Sequence, residues 1–191
     1  MTFDALSARQ ARDRRARRPA RDGGRYHPPM LEGLAPGVDP RTRLGVLGSF
    51  PGAASLAAGQ YYGHPRNHFW RLLSTLWDDD LVALAYADRL AAIARRGLGL
   101  WDAYARCERA GSLDSAIRTP VPNDLAALAR RAPGLRAIAH NGAESARSRR
   151  LTEALGVEVH TLPSTSPANA ACSFERKLAA WGAVLARHGI R

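Results

Sequence analysis

The sequence predicts a single-domain, three-layer α/β/α fold built on a central four-stranded parallel sheet. Two observations carry that expectation: short apolar runs alternate four times with amphipathic helical segments, and each apolar run ends in glycine or polar residues. A chain of 191 residues with 46% hydrophobic content can bury one substantial core, and usual domain sizes leave little room for a second.

Residues 1–24 are rich in arginine, poor in large apolar side chains, and end in Gly23-Gly24. Such a segment cannot offset the entropy of ordering, so it is expected to be a flexible tail ahead of a domain at 25–191. Prolines and glycines between 28 and 40 suggest an irregular lead-in, and residues 43–50 (RLGVLGSF) read as a buried first strand. Beyond a loop of small residues, 67–77 (NHFWRLLSTLW) and 81–96 carry apolar residues at helical spacing. Residues 97–101 (GLGLW) form the expected second strand, 124–131 a third helix, and 135–139 (LRAIA) a third strand stopping at His140-Asn141-Gly142. A helix is expected over 143–155, a fourth strand over 157–162 (VEVHTL), and a closing amphipathic helix over 173–188, with Ser173 placed to cap it.

Ligands of such sheets bind at the carboxyl ends of the strands, here 48–52, 101–102, 140–142 and 163–169. All four are polar or glycine-rich.

Net charge is +11 and the isoelectric point is near 11, so a polyanion is the expected partner. Residues 1–25 hold eight Arg against three Asp, and the remainder is basic too. Only Lys177 is lysine, a skew that a GC-rich genome also produces. No run of eighteen apolar residues occurs and the N-terminus has no apolar h-region, which reads as a cytoplasmic protein with no membrane partner. Cys107 and Cys172 stand far apart without a partner spacing, so neither a zinc site nor a disulfide framework is expected. The GxGxxG, GxxxxGK[ST], HExxH and GxSxG patterns are missing, and no metal or other cofactor is implied.

The string Gln60-Tyr61-Tyr62-Gly63-His64-Pro65-Arg66-Asn67-His68-Phe69-Trp70 packs stacking, hydrogen-bonding and charged groups beside the ligand-binding edge. Phe69 and Trp70 open an amphipathic helix and are expected to face the core. Tyr62 precedes the helix in a Gly-His-Pro turn and is harder to assign to packing, whereas Asn67 stands where a helix cap belongs.

GSFPG (48–52), QYYGHPRNHFW (60–70), LWDAYARCERAGSLDSAI (100–117), HNG (140–142) and LPSTSPANA (162–170) together resemble the hypoxanthine-DNA glycosylase branch of the uracil-DNA glycosylase superfamily over about residues 43–188. The resemblance implies a uracil-DNA glycosylase-like fold and a monofunctional enzyme. Such an enzyme flips a deaminated base, hypoxanthine with uracil or xanthine as further substrates, out of double- or single-stranded DNA and hydrolyses its glycosidic bond. Tyr62 matches the ring that stacks on the flipped base. Asn67 matches the amide that orients water or steadies the departing base. Phe50 stands where an Asp or Asn usually positions water, and Leu162 where uracil-specific members carry a His that stabilises the leaving anion.

These departures shift the expected substrate from uracil toward hypoxanthine. Asp102 resembles the position that reads the base edge, although a helix or turn cap is its plain alternative. The same resemblance sets Gly48, Ser49, Phe50 and Asn141 around the base, Ser164 with Asn67 in catalysis, and His64, Arg66, Ser166 and Asn169 on DNA. Arg147, Arg149 and Arg150 are further phosphate candidates. A monomer is expected. The rival readings are a lesion-sensing DNA-binding module that lost catalysis and an RNA or free-nucleoside hydrolase.

Overall fold

The computed structural model describes residues 28–191, and the expected tail at 1–24 lies outside the described residues. Four strands, β2 (Leu44–Gly48), β3 (Leu98–Asp102), β6 (Ala137–Asn141) and β7 (Glu158–Leu162), form an all-parallel sheet in the order β3-β2-β6-β7. Every residue of β2, β3 and β6 is buried, as sheets covered on both faces require.

Successive side chains on a strand point to opposite faces, and the two cores follow that period of two. Leu44, Val46, Leu98, Leu100, Ala137 and Ala139 join one cluster with Phe69, Leu72, Leu73 and Trp181, beneath the helices α2 (His68–Trp77), α3 (Tyr86–Arg95) and α6 (Phe174–Arg187). Leu47, Trp101 and Ile138 join the other with Leu125 and Leu128 beside α4 (Ala126–Arg131). The three-layer expectation therefore holds.

A second sheet has no counterpart in the sequence reading. β1 (Met30–Glu32), β4 (Tyr104–Glu108) and β5 (Arg118–Pro122) pair antiparallel in the order β1-β4-β5, with register shifts along the β4–β5 pair. β4 starts two residues after β3 ends, and Ala103 N–H and Tyr104 N–H donate to the carbonyls of Gly48 (2.8 Å) and Ser49 (3.1 Å). This small sheet packs a third cluster, Phe50, Ala103, Tyr104, Cys107 and Ile117, beside the carboxyl edge of the large one.

Other expectations need correction. The stretch after the first strand is not a loop throughout, because α1 (Ala53–Ala58) forms there. Residues 143–155 are not one helix: a 3-10 turn at Ser145–Ser148 precedes the short α5 (Arg149–Glu153). Ser145 is fully buried and its hydroxyl donates to Leu47 O at 2.8 Å, a side-chain-to-backbone contact that competes with regular helix. Residues 81–84 form a turn, so the helix expected from 81 begins at Tyr86. No helix among the described residues is long and apolar enough to cross a membrane.

Candidate active site

Gly48, Asp102, Asn141 and Leu162 are the last residues of the four parallel strands, and all four line one cavity of about 820 Å³. The sheet thus sets four backbone ends in a row, and three connecting segments wall them in.

The first wall is the segment ahead of α2. Tyr62 has φ +56°, a left-handed backbone that a bulky side chain adopts only when its surroundings hold it there. One face of its ring stacks on Phe69, with centroids 3.9 Å apart at 23°, while the ring also lines the cavity. Its hydroxyl is buried beside the Asn141 side chain, outside regular hydrogen-bond geometry, and burial raises its pKa, so it stays neutral. Asn67 does cap α2: its Oδ1 accepts the Phe69 N–H at 3.0 Å. Capping uses one lone pair of that oxygen. The second lone pair and the amide Nδ2 remain on a side chain that lines the cavity.

The floor is acidic. Asp102 is 4% exposed and its Oδ2 has no partner among the described residues. Burial first, and the nearby Asp114 second, push its pKa up to about 7, against a lowering by Arg109. A Cβ on Gly48 would collide with Asp102 Oδ1, so only glycine lets the carboxylate sit against the end of β2. Asp114 accepts a hydrogen bond from Ser49 Oγ at 2.6 Å, and desolvation raises its pKa as well. Phe50, 5% exposed, offers the cavity an apolar ring backed by the Arg109 guanidinium 5.1 Å from its centroid. Arg109 is itself buried and donates to Pro51 O, while its Nε and Nη1 have no partner among the described residues.

The third wall is the loop after β7. Asn141 is committed to holding it: its Nδ2 donates to Thr165 Oγ1 and its Oδ1 accepts from Thr165 N–H, both at 2.9 Å. Gly142 has φ +106°, and a Cβ there would lie 2.9 Å from Ser164 Cβ, so a side chain would push the loop away. Ser164 Oγ accepts from Ser166 N–H at 3.2 Å, Asn169 Nδ2 donates to Ser164 O at 3.1 Å, and Lys177 Nζ donates to Asn169 O at 3.0 Å. The loop is rigid because its own polar groups close on one another.

A model of the uracil DNA glycosylase superfamily matches residues 35–184, most of the chain and all of this cavity. The chain belongs to the uracil DNA glycosylase superfamily. Two curated relatives are named hypoxanthine DNA glycosylase. The one from Methanosarcina barkeri is 38% identical over 146 residues, covering 76% of this chain and 92% of its own length. The one from Methanosarcina acetivorans is 37% identical over 151 residues, covering 79% and 94%. A solution NMR structure from Methanosarcina acetivorans, described as a candidate uracil DNA glycosylase, superposes with a TM-score of 0.76 at 34% identity over 84% of this chain and 99% of that one.

Within this glycosylase cavity the structure brings together Gly48, Ser49, Phe50, Tyr62, His64, Asn67, Asp102, Asn141, Ser164, Ser166 and Asn169. Arg66 is exposed and outside the lining; its backbone N–H donates to His64 Nδ1 at 3.1 Å. Arg147 and Arg149 are paired with Glu144 (3.3 Å) and Glu153 (2.7 Å), exposed pairs that bind weakly. Sequence reasoning missed Asp114, Ser112 and Leu113, which line the cavity, and Arg109 behind Phe50. The string Gly111-Ser112-Leu113-Asp114-Ser115 falls inside the stretch 100–117 that carries the family resemblance, but without the second sheet nothing tied its individual residues to the edge. Among the described residues, Glu158, His160 and His188 have donor atoms close enough to hold a metal. They lie outside the cavity lining, and the His160–His188 contact at 2.8 Å and the Arg187–Glu158 pair at 2.9 Å account for their arrangement.

Proposed function

We propose that the protein is a monofunctional DNA glycosylase that excises hypoxanthine from deoxyinosine in base excision repair, after turning the nucleotide out of the duplex. The observation that carries this reading is the convergence of Tyr62, Asn67 and Asp102 on one cavity. Extrusion costs a few kcal/mol, least for a mispaired base, so the opening step itself favours damage. The Tyr62 ring gives the planar base a platform whose other side is already supported by Phe69.

Asp102 supplies the selectivity against adenine. Hypoxanthine carries a proton on N1 and can donate it to an ionised carboxylate, whereas adenine N1 presents a lone pair and is repelled. A buried carboxylate oxygen without a partner is the group for which such a contact matters most. Asn67 directs its free lone pair and Nδ2 toward the attacking water and the departing base. Phe50 and Leu162 bring no charge of their own, so leaving-group stabilisation falls to neutral hydrogen-bond donors such as Asn67 and Ser164. Lys177 is tied to Asn169 O and lies outside the cavity lining, which favours direct attack by water over a Schiff base. Xanthine and uracil are the next substrates to compare.

Single-turnover excision on an inosine-containing duplex tests the reading. The wild type should leave alkali-labile strands, and Asn67→Asp, which keeps a capping oxygen but loses the amide donor, should be slower by about a hundredfold with the melting temperature nearly kept. Strands that stay alkali-stable with the wild type would reduce the protein to a lesion-binding module.

A further inference from the structure

Away from the cavity, Glu158, His160 and His188 bring together residue types that bind transition metals. The fold explains their meeting. Residues two apart on a strand share a face, so Glu158 and His160 of β7 stand on the side of their β6 partners Ala137 and Ala139, which join the core beneath α6. β7 is an edge strand, and α6 ends against it where Arg187 pairs with Glu158 and His188 takes the capping position. Two donors from a strand thus meet one from a helix end 28 positions away from His160, a distance that no motif spacing announces.

The donor atoms are already close. His160 Nε2 and His188 Nε2 lie 2.8 Å apart, and carboxylate oxygens of Glu158 lie 3.5 Å from the first and 3.8 Å from the second. Around a tetrahedral zinc ion with bonds of about 2.1 Å, neighbouring donors stand about 3.3 Å apart. The three separations straddle that value, so shifts of about half an ångström bring all three onto one ion. Two neutral imidazoles this close share a proton, donated from one Nε2 to the other; an ion takes its place, and the proton moves to Nδ1 of the donating ring. The histidine side chains are 17% and 8% exposed and the Glu158 side chain 40%, so the cluster opens to solvent on the carboxylate side. That opening leaves the fourth position to water, as in other three-ligand zinc sites.

Two cations lie nearby. Arg187 Nε donates to both Glu158 oxygens, at 2.9 and 3.1 Å, while Arg149 is held by Glu153 at 2.7 Å and Val159 O at 3.2 Å. Neither takes the donors away, because each carboxylate oxygen keeps a second lone pair and the Arg187 side chain, 64% exposed, is free to turn outward. Two imidazoles with one carboxylate suit zinc and its neighbours cobalt and nickel, whereas magnesium and calcium call for oxygen ligands.

We propose that Glu158, His160 and His188 form a zinc-binding site that staples the end of α6 to the edge strand of the parallel sheet. The site is separate from the catalytic cavity and acts on stability. α6 already holds the segment after β7, through Trp181 Nε1 donating to Pro163 O at 3.0 Å, and the ion adds a second tie between the same two elements.

The test titrates the untagged full chain, stripped with a chelator, with Zn2+ at about pH 7.5, where imidazole is neutral. One strong site is expected, at least tenfold weaker in His160→Gln and in His188→Gln, whose amides keep a polar group at each place. No binding by the wild type, or equal binding by either variant, would overturn the proposal. Zn2+ at about a hundredfold excess over its Kd should also raise the melting temperature of the wild type by several degrees and that of the variants far less, and an equal rise would put the ion elsewhere. The wild type alone gives a readout that does not depend on the variants folding. In NMR spectra Zn2+ should move the imidazole signals of His160 and His188 and leave those of His64, His68 and His140 in place. Shifts confined to other histidines, or thiolate bands from Cys107 or Cys172 in the Co2+ spectrum, would overturn the site.

Discussion

Asp102 and His140 stand on the two strands flanking β2, against neighbouring residues of it: Asp102 beside Gly48 and His140 beside Leu47. Both are ionisable and buried, at 4% and 0% exposure. Their surroundings differ in kind. His140 Nδ1 meets Ser145 Oγ at 2.8 Å and Nε2 meets Thr152 Oγ1 at 3.0 Å, and burial pushes its pKa down to about 4. A neutral imidazole donates from one nitrogen and accepts at the other, so one of the two hydroxyls turns its proton to the ring instead of to its backbone carbonyl, Leu47 O for Ser145 or Arg149 O for Thr152. Asp102 keeps Oδ2 without a partner and is pushed up to about 7. A satisfied buried group fixes structure, and an unsatisfied one facing a cavity is held ready for a ligand.

The comparison breaks most visibly at His140. Replacing it with Ala removes one hydrogen-bond partner from each of the Ser145 and Thr152 hydroxyls, which keep their backbone carbonyls, and opens a void, so stability should fall by about 3 kcal/mol in chemical denaturation. A loss under 1 kcal/mol would show that the site is not a structural pin. The wild type should also weaken in acid by the same route. With a folded pKa of about 4 against an ordinary 6.5, the contribution of His140 is complete above pH 6.5 and fades as pH falls toward 4.

Asp102→Asn should move stability the other way. The folded pKa of Asp102 lies above its ordinary 3.8, so the carboxylate costs the fold free energy that accumulates as pH rises from about 3.8 and is complete above about 7. The amide removes that cost, and at pH 8 the variant should be more stable by about 1–2 kcal/mol while losing discrimination between hypoxanthine and adenine. A variant that is less stable than the wild type at pH 8, or equally selective, would place Asp102 with His140 among structural groups.

The parallel sheet was legible because its strands obey one local rule: apolar runs such as 44–48 and 98–102, buried on both faces, end in residues that cannot continue them. The cavity wall from Tyr62 to Asn67 was legible for a similar reason, since its aromatic and amide residues fall just before a clear helix. The antiparallel sheet was not. β4 (YARCE) and β5 (RTPVP) carry polar or proline-bearing patterns, and β1 has three residues, so pairing at long range decides their structure. That sheet sits beside the acidic floor, which is why Asp114 and Arg109 escaped notice while Asp102, at the end of a legible strand, did not. Asn141, at the end of another legible strand, lines the cavity while its amide also holds Thr165, a residue 24 positions away, a contact that no local pattern announces.

The smallest effect expected is the most specific to the proposed chemistry. If the ionised carboxylate accepts the hypoxanthine N1–H, excision at low substrate should rise with pH and level off above about 7, because only then is Asp102 charged in the free enzyme. Below that value the neutral acid can itself donate to adenine N1, so the selectivity ratio should shrink at pH 6 by roughly threefold to tenfold. Asp102→Asn should flatten this dependence while leaving the acid-induced loss of stability from His140 in place. The two titrations are therefore separable on one protein: the first follows kcat/KM near neutrality, and the second follows the melting temperature below pH 6.5. A wild-type selectivity ratio that is flat from pH 6 to 8 would mean that Asp102 does not touch the base edge.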